Sequence, residues 1–327
     1  MKNIILSIFL LAQIDNVNSQ DNRVKYDSLI IIAYQAYEAK DYQLSATSFS
    51  NAFKELGWKA IFFHRYGAAC SWALVNNSDS SFFQLNNLAN KRNYSNYSQL
   101  TTDQDLISLH SDKRWEPLIA KVLANKTEIE KNYNHELVAE LAIIDSEDQG
   151  GRQRLDEIEQ KYGRESKQMD SLWKDISFKD SINLIKIIKI LDTYGWQGYD
   201  VLGQDGVTTQ FLVIQHADLK TQEKYLPMMQ EACKNGKFSS SSLALLEDRI
   251  ANRNGKLQIY GSQVGFDKSK EVYYLLPVED PDHIDERRAK MDLGPISEYV
   301  SNWDIIWDVE VYKKNLPYYL ELQKKNN

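Results

Sequence analysis

The sequence predicts a mainly α-helical protein with one small β-hairpin, an α+β arrangement in which helices dominate. Apolar residues recur at the 3.6-residue spacing of amphipathic helices in most segments of the 327-residue chain. Near the N-terminus, small and aromatic residues alternate at the spacing that two crossing helices need. Period-two alternation of β-branched residues and tyrosine is confined to two short segments between residues 256 and 277.

Length, charge and hydropathy limit the classes of protein to which the chain can belong. A length of 327 residues allows two or three domains, and the formal net charge is −7. A general nucleic-acid binder needs a clustered basic surface, so we expect no nucleic-acid partner. No run of 18 apolar residues follows the N-terminal segment, which predicts that the mature chain has no transmembrane helix.

Residues 1–19 have the pattern of a secretory signal peptide. Lys2 precedes a short apolar core over residues 4–12, and Val17 and Ser19 occupy the −3 and −1 positions of a cut before Gln20. An N-terminal core helix is the alternative, but the polar segment that follows favours export. We therefore expect a periplasmic or secreted protein.

The sequence predicts neither a metal site nor a bound cofactor. The five histidines show no HxxxH or HExxH spacing, and the chain contains no GxxxxGK[ST], GxGxxG or GxSxG motif. Its two cysteines, Cys70 and Cys233, lie far apart and have small or apolar neighbours. This environment predicts buried free thiols rather than a disulfide.

Residues 24–125 predict three successive helix pairs. The predicted pairs are Tyr26–Leu56, Trp58–Val75 with Asp79–Asn90, and Asp103–His110 with Trp115–Ala124. The first pair resembles a tetratricopeptide repeat in the residues at its helix crossing: Ala33, Tyr37, Ala46, Phe49, Ala52 and Phe53. Stacked repeats of this kind leave a concave surface, so we expect this part to recruit a protein partner. A generic helical bundle is the alternative.

The polar stretch Asn125–Asn134 predicts a domain boundary, followed by an α-rich domain over residues 135–297 and a helical tail over residues 298–327. Predicted helices are His135–Ile144, Arg152–Tyr162, Met169–Tyr194, Val207–Gln215, Thr221–Asn235, Ser239–Ile250, Asp282–Met291 and Tyr312–Gln323. We expect a loop at Gly203–Gly206. Lys256–Gln263 and Glu271–Pro277 predict the two strands of the hairpin.

His216 is the first candidate for a chemical role, because it follows a buried apolar helix and precedes Asp218 by two residues. Histidine titrates near neutrality, so an adjacent carboxylate would orient it as a general base or acid. A core histidine satisfied by hydrogen bonds is the alternative, and spacing alone favours it. Asp218 equally fits the N-cap of the helix that follows.

The pair Asp248-Arg249 is the second candidate. Arg249 would bind an anionic group while Asp248 accepts hydrogen bonds, or the two would form a buried ion pair with no chemical role. On the first predicted strand, Gln258, Tyr260 and Ser262 would share one polar face. That face suits a ligand, although any half-exposed hairpin shows the same pattern.

Five short motifs between about His135 and Met291 make the chain similar to an uncharacterised bacterial domain family of unknown function. That family carries DQxxR, GWP, QHAD, DR and YGTQ in this order. Here the motifs start at Asp148, Gly195, Gln215, Asp248 and Tyr260, and a later arginine of the family matches Arg288. Two positions depart from the pattern, since Gln197 replaces the proline and Ser262 the threonine.

The resemblance implies that His216, Asp248, Arg249, Tyr260 and Gln263 meet in one polar pocket. We assign catalytic roles, if there is chemistry, to His216, Asp218 and Asp248. We assign ligand-binding roles to Gln215, Arg249, Gln258, Tyr260, Ser262, Gln263, Trp196 and Arg288. Three functions stay open: a module that binds a polar ligand or peptide, a metal-independent hydrolase with His216 as general base, and a purely structural interaction module.

Overall fold

The computed structural model describes residues 21–326, and the predicted signal peptide therefore lies outside the described residues. The prediction of a mainly α-helical fold with a small two-stranded antiparallel sheet is confirmed. The chain divides into two compact units, an N-terminal unit that ends at Lys131 and a C-terminal unit that begins at Asn132. Among the described residues, no helix combines the length and apolar character needed to cross a membrane.

Helices of the N-terminal unit follow one another through short turns. They are α1 (residues 21–38), α2 (Tyr42–Glu55), α3 (Phe62–Leu74), α4 (Ser78–Lys91), α5 (Tyr97–Thr102), a 3-10 helix (Gln104–Leu109) and α6 (Trp115–Glu130). The sequence patterns do not predict α5. The segment Asp103–His110, predicted as an α-helix, forms a 3-10 helix instead. There the Asp103 carboxylate accepts a hydrogen bond from the amide of Asp105, which tightens the turn.

Small residues line the helix crossings of this unit, as the spacing predicts. Ala46, Ala52 and Ala68 are fully buried beside the rings of Phe49 and Phe53. Cys70 is also buried and Cys233 of the C-terminal unit is partly buried, and both are free thiols. Burial raises the pKa of both thiols above the ordinary value, which keeps them in the protonated, weakly reactive form.

In the C-terminal unit, six helices precede the sheet. They are α7 (His135–Arg152), α8 (Leu155–Tyr162), α9 (Lys167–Tyr194), α10 (Tyr199–His216), α11 (Leu219–Lys234) and α12 (Ser240–Arg253). The apolar faces of α7, α9 and α10 pack into one core that includes Leu141, Ile187 and Ile214. The prediction of a loop at Gly203–Gly206 is wrong, because α10 includes these residues. Only Gly203 departs from helical geometry, with φ 68°.

The sheet consists of β1 (Val264–Asp267) and β2 (Val272–Leu275), in which Val264 pairs with Leu275. The predicted first strand, Lys256–Gln263, is wrong because this segment is irregular. The carboxylate of Asp248 accepts hydrogen bonds from its backbone amides, and Gly261 has a φ of 67°, which lies outside the range of regular strands. The chain ends in short turns of helix and one long helix: Pro281–His283, α13 (Ile284–Ala289), α14 (Ile296–Val300), Ser301–Trp303 and α15 (Val309–Asn326).

Acid should weaken the hairpin through Asp267. Hydrogen bonds from Ser269 and Tyr318 lower the pKa of this carboxyl from 3.8 to about 2. A carboxyl with a depressed pKa stabilises the fold above its unfolded value and loses that effect as the pH falls through the folded value. We expect Asp267→Asn to be less stable than the parent at pH 7, with the two urea midpoints converging between about pH 4 and pH 2. A difference that stays constant with pH would contradict this.

Candidate functional site

An open pocket of about 290 Å³ lies between helices α7, α9 and α10 of the C-terminal unit. Its wall is formed by Asp148, Ser177, Asp180, Ser181, Leu184, Val213, His216, Ala217 and Asp218. The wall therefore combines three carboxylates, two hydroxyls and an imidazole with three apolar residues. A pocket of this size admits a small molecule or a single side chain of a peptide.

His216 and Asp148 form the centre of this pocket. The Nδ1 atom of His216 lies 3.1 Å from Oδ1 of Asp148, and the two residues are 68 positions apart in sequence. The Asp148 side chain is only 2 % exposed, whereas that of His216 is 17 % exposed. Within the described chain, Nε2 of His216 has no hydrogen-bond partner. The buried carboxylate thus fixes one ring nitrogen and leaves the other for a ligand.

Electrostatic contacts keep Asp148 ionised despite its burial. Burial alone would raise its pKa, but the hydrogen bond and charge of His216, the charge of Arg152 and the amide of Gln149 together outweigh it. The pKa of Asp148 consequently lies below its ordinary value of 3.8. At neutral pH the carboxylate is an acceptor that favours the Nδ1–H form of His216.

Arg152 links two carboxylates of the pocket, those of Asp148 and Asp180. Its guanidinium donates to both oxygens of Asp180 at 2.9 and 2.8 Å and lies 3.4 Å from Asp148. It also donates to the backbone carbonyl of Asp148 at 2.7 Å. A bidentate pair of this kind fixes geometry as well as charge. Arg152 therefore adds a polar link between α7 and α9 beside the contact of His216 with Asp148.

Three side chains of this pocket have the geometry of a metal-binding group. One ligand atom each from Asp148, Asp180 and His216 lies within 4.8 Å of the others. However, the guanidinium of Arg152 already occupies the position of a cation between the two carboxylates. A metal ion would have to displace it, so the arrangement suits hydrogen bonding to a ligand better than coordination.

Asp218 lies on the pocket wall but caps a helix. Its carboxylate accepts a hydrogen bond from the amide of Thr221 at 2.8 Å at the start of α11, and this bond lowers the pKa of Asp218. The alternative role anticipated from the sequence is therefore the one observed. Asp148, and not Asp218, is the carboxylate that contacts the imidazole of His216.

Asp248 is fully buried and does not contact His216. Its carboxylate binds the backbone of the loop that precedes the sheet. Its carboxylate accepts hydrogen bonds from the backbone amides of Ile259, Tyr260 and Ser262 at 2.7, 3.0 and 2.9 Å. Burial raises the pKa of Asp248, and these three amides offset part of that rise. Because both oxygens of Asp248 accept from backbone amides, this carboxylate is not the partner of His216 in the catalytic role assigned to it from the sequence.

Arg249 is the one member of the DR pair that approaches the His216 helix. Its Nη1 donates to the carbonyl of Gln215 at 3.3 Å, and Arg253 donates to the carbonyl of Ala217 at 2.7 Å. The two guanidinium groups thus cap the C-terminal end of α10. Burial lowers the pKa of Arg249, as does the charge of Arg253, and its Nε atom has no partner within the described residues.

The remaining predicted ligand-binding residues lie outside the pocket wall and make internal contacts. Gln258 is buried and bridges the carbonyls of Gln263 and Leu276. The Tyr260 hydroxyl donates to Glu247. Ser262 and Gln263 hydrogen-bond each other beside Asp248. The pocket inferred from the family resemblance thus divides into a loop cluster and a separate His216 pocket.

Trp196 and Arg288 likewise make contacts inside the fold. The Trp196 indole packs against Phe238 with ring centroids 4.8 Å apart and donates to the carbonyl of Lys237. Arg288 is buried, and its guanidinium donates to the carbonyls of Gly294 and Tyr260. Neither side chain reaches the pocket wall.

Sequence reasoning assigned no role to three charged residues of this site, namely Asp148 and Asp180 on the pocket wall and Arg152, which pairs with both. Asp148 and Arg152 are the ends of the DQxxR motif, so a signal was present in the order of the motifs. Their spacing of four residues places both on one face of α7, where they can meet the same neighbours. Asp180 belongs to no motif and gave no signal.

Residues 135–312 match the model of a family described as a family of unknown function (DUF6624). The matched stretch covers more than half of the chain and contains every residue of the pocket wall. No curated protein and no solved structure matches the chain.

Proposed function

The chain belongs to the DUF6624 family, and we propose that its C-terminal unit is an enzyme that performs acid–base chemistry on a small polar substrate. One observation carries the proposal. The imidazole of His216 contacts the buried carboxylate of Asp148 at 3.1 Å and lines an open pocket of about 290 Å³. The imidazole is part-exposed on the pocket wall with Nδ1 engaged by the carboxylate, which leaves Nε2 available for proton transfer.

In the proposed mechanism His216 is the general base. Asp148 accepts Nδ1–H and stabilises the imidazolium that forms when Nε2 takes a proton. The proton comes from water or a substrate hydroxyl in the pocket, which fits a hydrolysis that needs no metal ion. Beside their bonds to Arg152 and Thr221, the carboxylates of Asp180 and Asp218 keep further lone pairs that can accept hydrogen bonds, so a substrate rich in N–H and O–H groups is favoured.

His216→Gln tests this proposal, with His283→Gln as the matched control. His283 also contacts an aspartate, Asp280 at 2.8 Å, but it lies exposed on the surface. Chromogenic esters, amides, glycosides and phosphate esters are assayed with the parent and both variants. We expect activity to fall by about 10²- to 10⁴-fold in His216→Gln and to persist in His283→Gln. Turnover that survives in His216→Gln would overturn the proposal.

Binding without chemistry is the second candidate, and the polar wall of the pocket favours it. The serine hydroxyls of Ser177 and Ser181 and the carboxylates would then hold a polar ligand or a peptide side chain. This function tolerates a neutral His216. The same variants separate the two candidates, because a binding module would lose affinity moderately and show no turnover at all.

We further propose that the N-terminal unit is a short tetratricopeptide-like array that recruits a protein partner. Its successive helices α2, α3 and α4 pack against one another, and two large apolar side chains, Phe63 on α3 and Phe83 on α4, stay exposed. Exposed apolar groups of this size are typical of interaction surfaces when they cluster. For residues 1–19, the signal-peptide pattern supports export to the periplasm or beyond the cell.

A further inference from the structure

The N-terminal unit contains an aromatic pocket of about 260 Å³ between α2, α3 and α4. Its wall is formed by Ser50, Trp58, Trp72, Asp79, Ser80, Phe83 and Gln84. Three aromatic rings and one carboxylate therefore face a single concave space. The pocket lies within one compact unit and shares no residue with the His216 site.

Trp58 and Phe83 form two perpendicular walls of this pocket. Their ring centroids are 6.5 Å apart with an interplanar angle of 83°. The two residues are 47 % and 56 % exposed, so neither ring contributes its full area to the core. Perpendicular aromatic faces enclose a compact group from two sides, which is the arrangement that recognises a cation above ring faces.

The backbone of Trp58 is held in a costly conformation. Its φ of 65° lies in the left-handed region, which bulky residues rarely adopt. Its amide donates to the carbonyl of Phe53 at 2.6 Å, and its carbonyl accepts from Arg65 at 2.8 Å. Arg65 is only 3 % exposed and is anchored in turn by Gln84 at 2.7 Å. Backbone strain at a bulky, half-exposed residue supports the hypothesis of a ligand-binding position.

Charge decides which group the aromatic walls would take. The Asp79 carboxylate is exposed on the pocket wall and shares Arg114 with Asp112, so these three charged groups together carry a net negative charge that favours a positive ligand over an anion. Arg114 of the same unit contacts a carboxylate and an aromatic face at the same time. Its guanidinium lies 2.6 Å from Asp79 and 4.4 Å above the ring of Phe82. A carboxylate beside aromatic faces is thus a cation-binding combination that this surface uses internally.

We propose that this aromatic cage, formed by Trp58, Trp72, Phe83 and Asp79, binds a lysine ammonium group of a partner protein, including its methylated forms. The inference deepens the partner-recruiting role of the N-terminal unit and rests on it. Lysine suits the cage because its ammonium group is compact and its stem is apolar.

Choline and its uncharged isostere 3,3-dimethylbutanol test the cage in the full-length chain. The seven tryptophans are labelled with ¹⁵N, and their indole resonances are followed during titration. We expect choline to shift the resonances of Trp58 and Trp72 and to bind roughly tenfold more tightly than the isostere. Equal binding of the two probes, or no shift with choline, would overturn the proposal.

Trp58→Gly supplies the decisive variant, because it removes one wall and relieves the positive φ at the same time. We expect it to lose choline binding while its melting temperature equals or exceeds that of the parent. Phe63→Ala, which removes an exposed ring of α3 outside the cage, is the matched control and should bind as the parent does. Should Trp58→Gly fail to fold, Asp79→Asn takes its place and should weaken choline but not the isostere.

The same variants separate the cage from the recruiting role. A partner protein captured equally by the parent and by Trp58→Gly would overturn the cage and leave recruitment intact. Choline binding that Trp58→Gly abolishes supports the cage, and a failure to capture any partner would then count against recruitment alone.

Discussion

Replacing Asp248 with alanine is expected to lower the free energy of unfolding by about 4 kcal/mol. The substitution leaves three backbone amides, those of Ile259, Tyr260 and Ser262, without an acceptor in a partly buried loop. Each unsatisfied amide costs about 1–3 kcal/mol, less what water entering the space recovers. Thermal unfolding should show a melting temperature lower by about 10 °C.

Asp218→Ala is the matched control, because Asp218 also accepts a backbone amide, but at an exposed helix cap. It should cost clearly less stability than Asp248→Ala. Asp248→Asn should fall between them, since one amide oxygen can still accept from Ile259 and Tyr260 while the NH₂ group faces the amide of Ser262. Wild-type stability in Asp248→Ala would restore the hypothesis that this carboxylate serves a ligand.

Local patterns accounted for most of the helices of this protein. Within the predicted pair Tyr26–Leu56 the chain turns at Lys40, which has a φ of 61°, and Asp41 caps α2. These patterns failed where a side chain that is distant in sequence determines the conformation of the backbone. The segment Lys256–Gln263 alternates as a strand does, yet the carboxylate of Asp248 takes the amides that a neighbouring strand would bind. No local signal reveals such a tertiary contact.

The candidate site shows the same limit. His216 was identified from its position at the end of an apolar helix, and the structure places it on the wall of an open pocket. Its carboxylate partner was sought among Asp218 and Asp248 because these are near in sequence or in motif order. The actual partner, Asp148, is 68 residues away on α7. Packing of α7 against α10 creates the pair, and periodicity within either helix carries no information about it.

Asp148→Asn is expected to abolish the orientation of His216 while leaving its ring in place. The carboxylate stabilises the Nδ1–H tautomer, whereas the asparagine NH₂ group can donate to Nδ1 and favour the opposite one. In a general-base mechanism this error lowers the rate by about 10³- to 10⁴-fold. The double variant with His216→Gln should then be no slower than His216→Gln alone, because the two residues act as a unit.

The tautomer can be measured before any substrate is known. ¹⁵N spectra of the imidazole should show a protonated Nδ1 in the parent at neutral pH and a loss of that signal in Asp148→Asn. Asp180→Asn is the control, since it loosens Arg152 but leaves the contact between His216 and Asp148 intact. Asp148→Glu keeps a carboxylate and should retain part of the signal of the protonated Nδ1 if the charge of that carboxylate orients His216. An unchanged tautomer in Asp148→Asn would show that backbone packing alone orients His216, and the proposed catalytic pair would then be a structural contact.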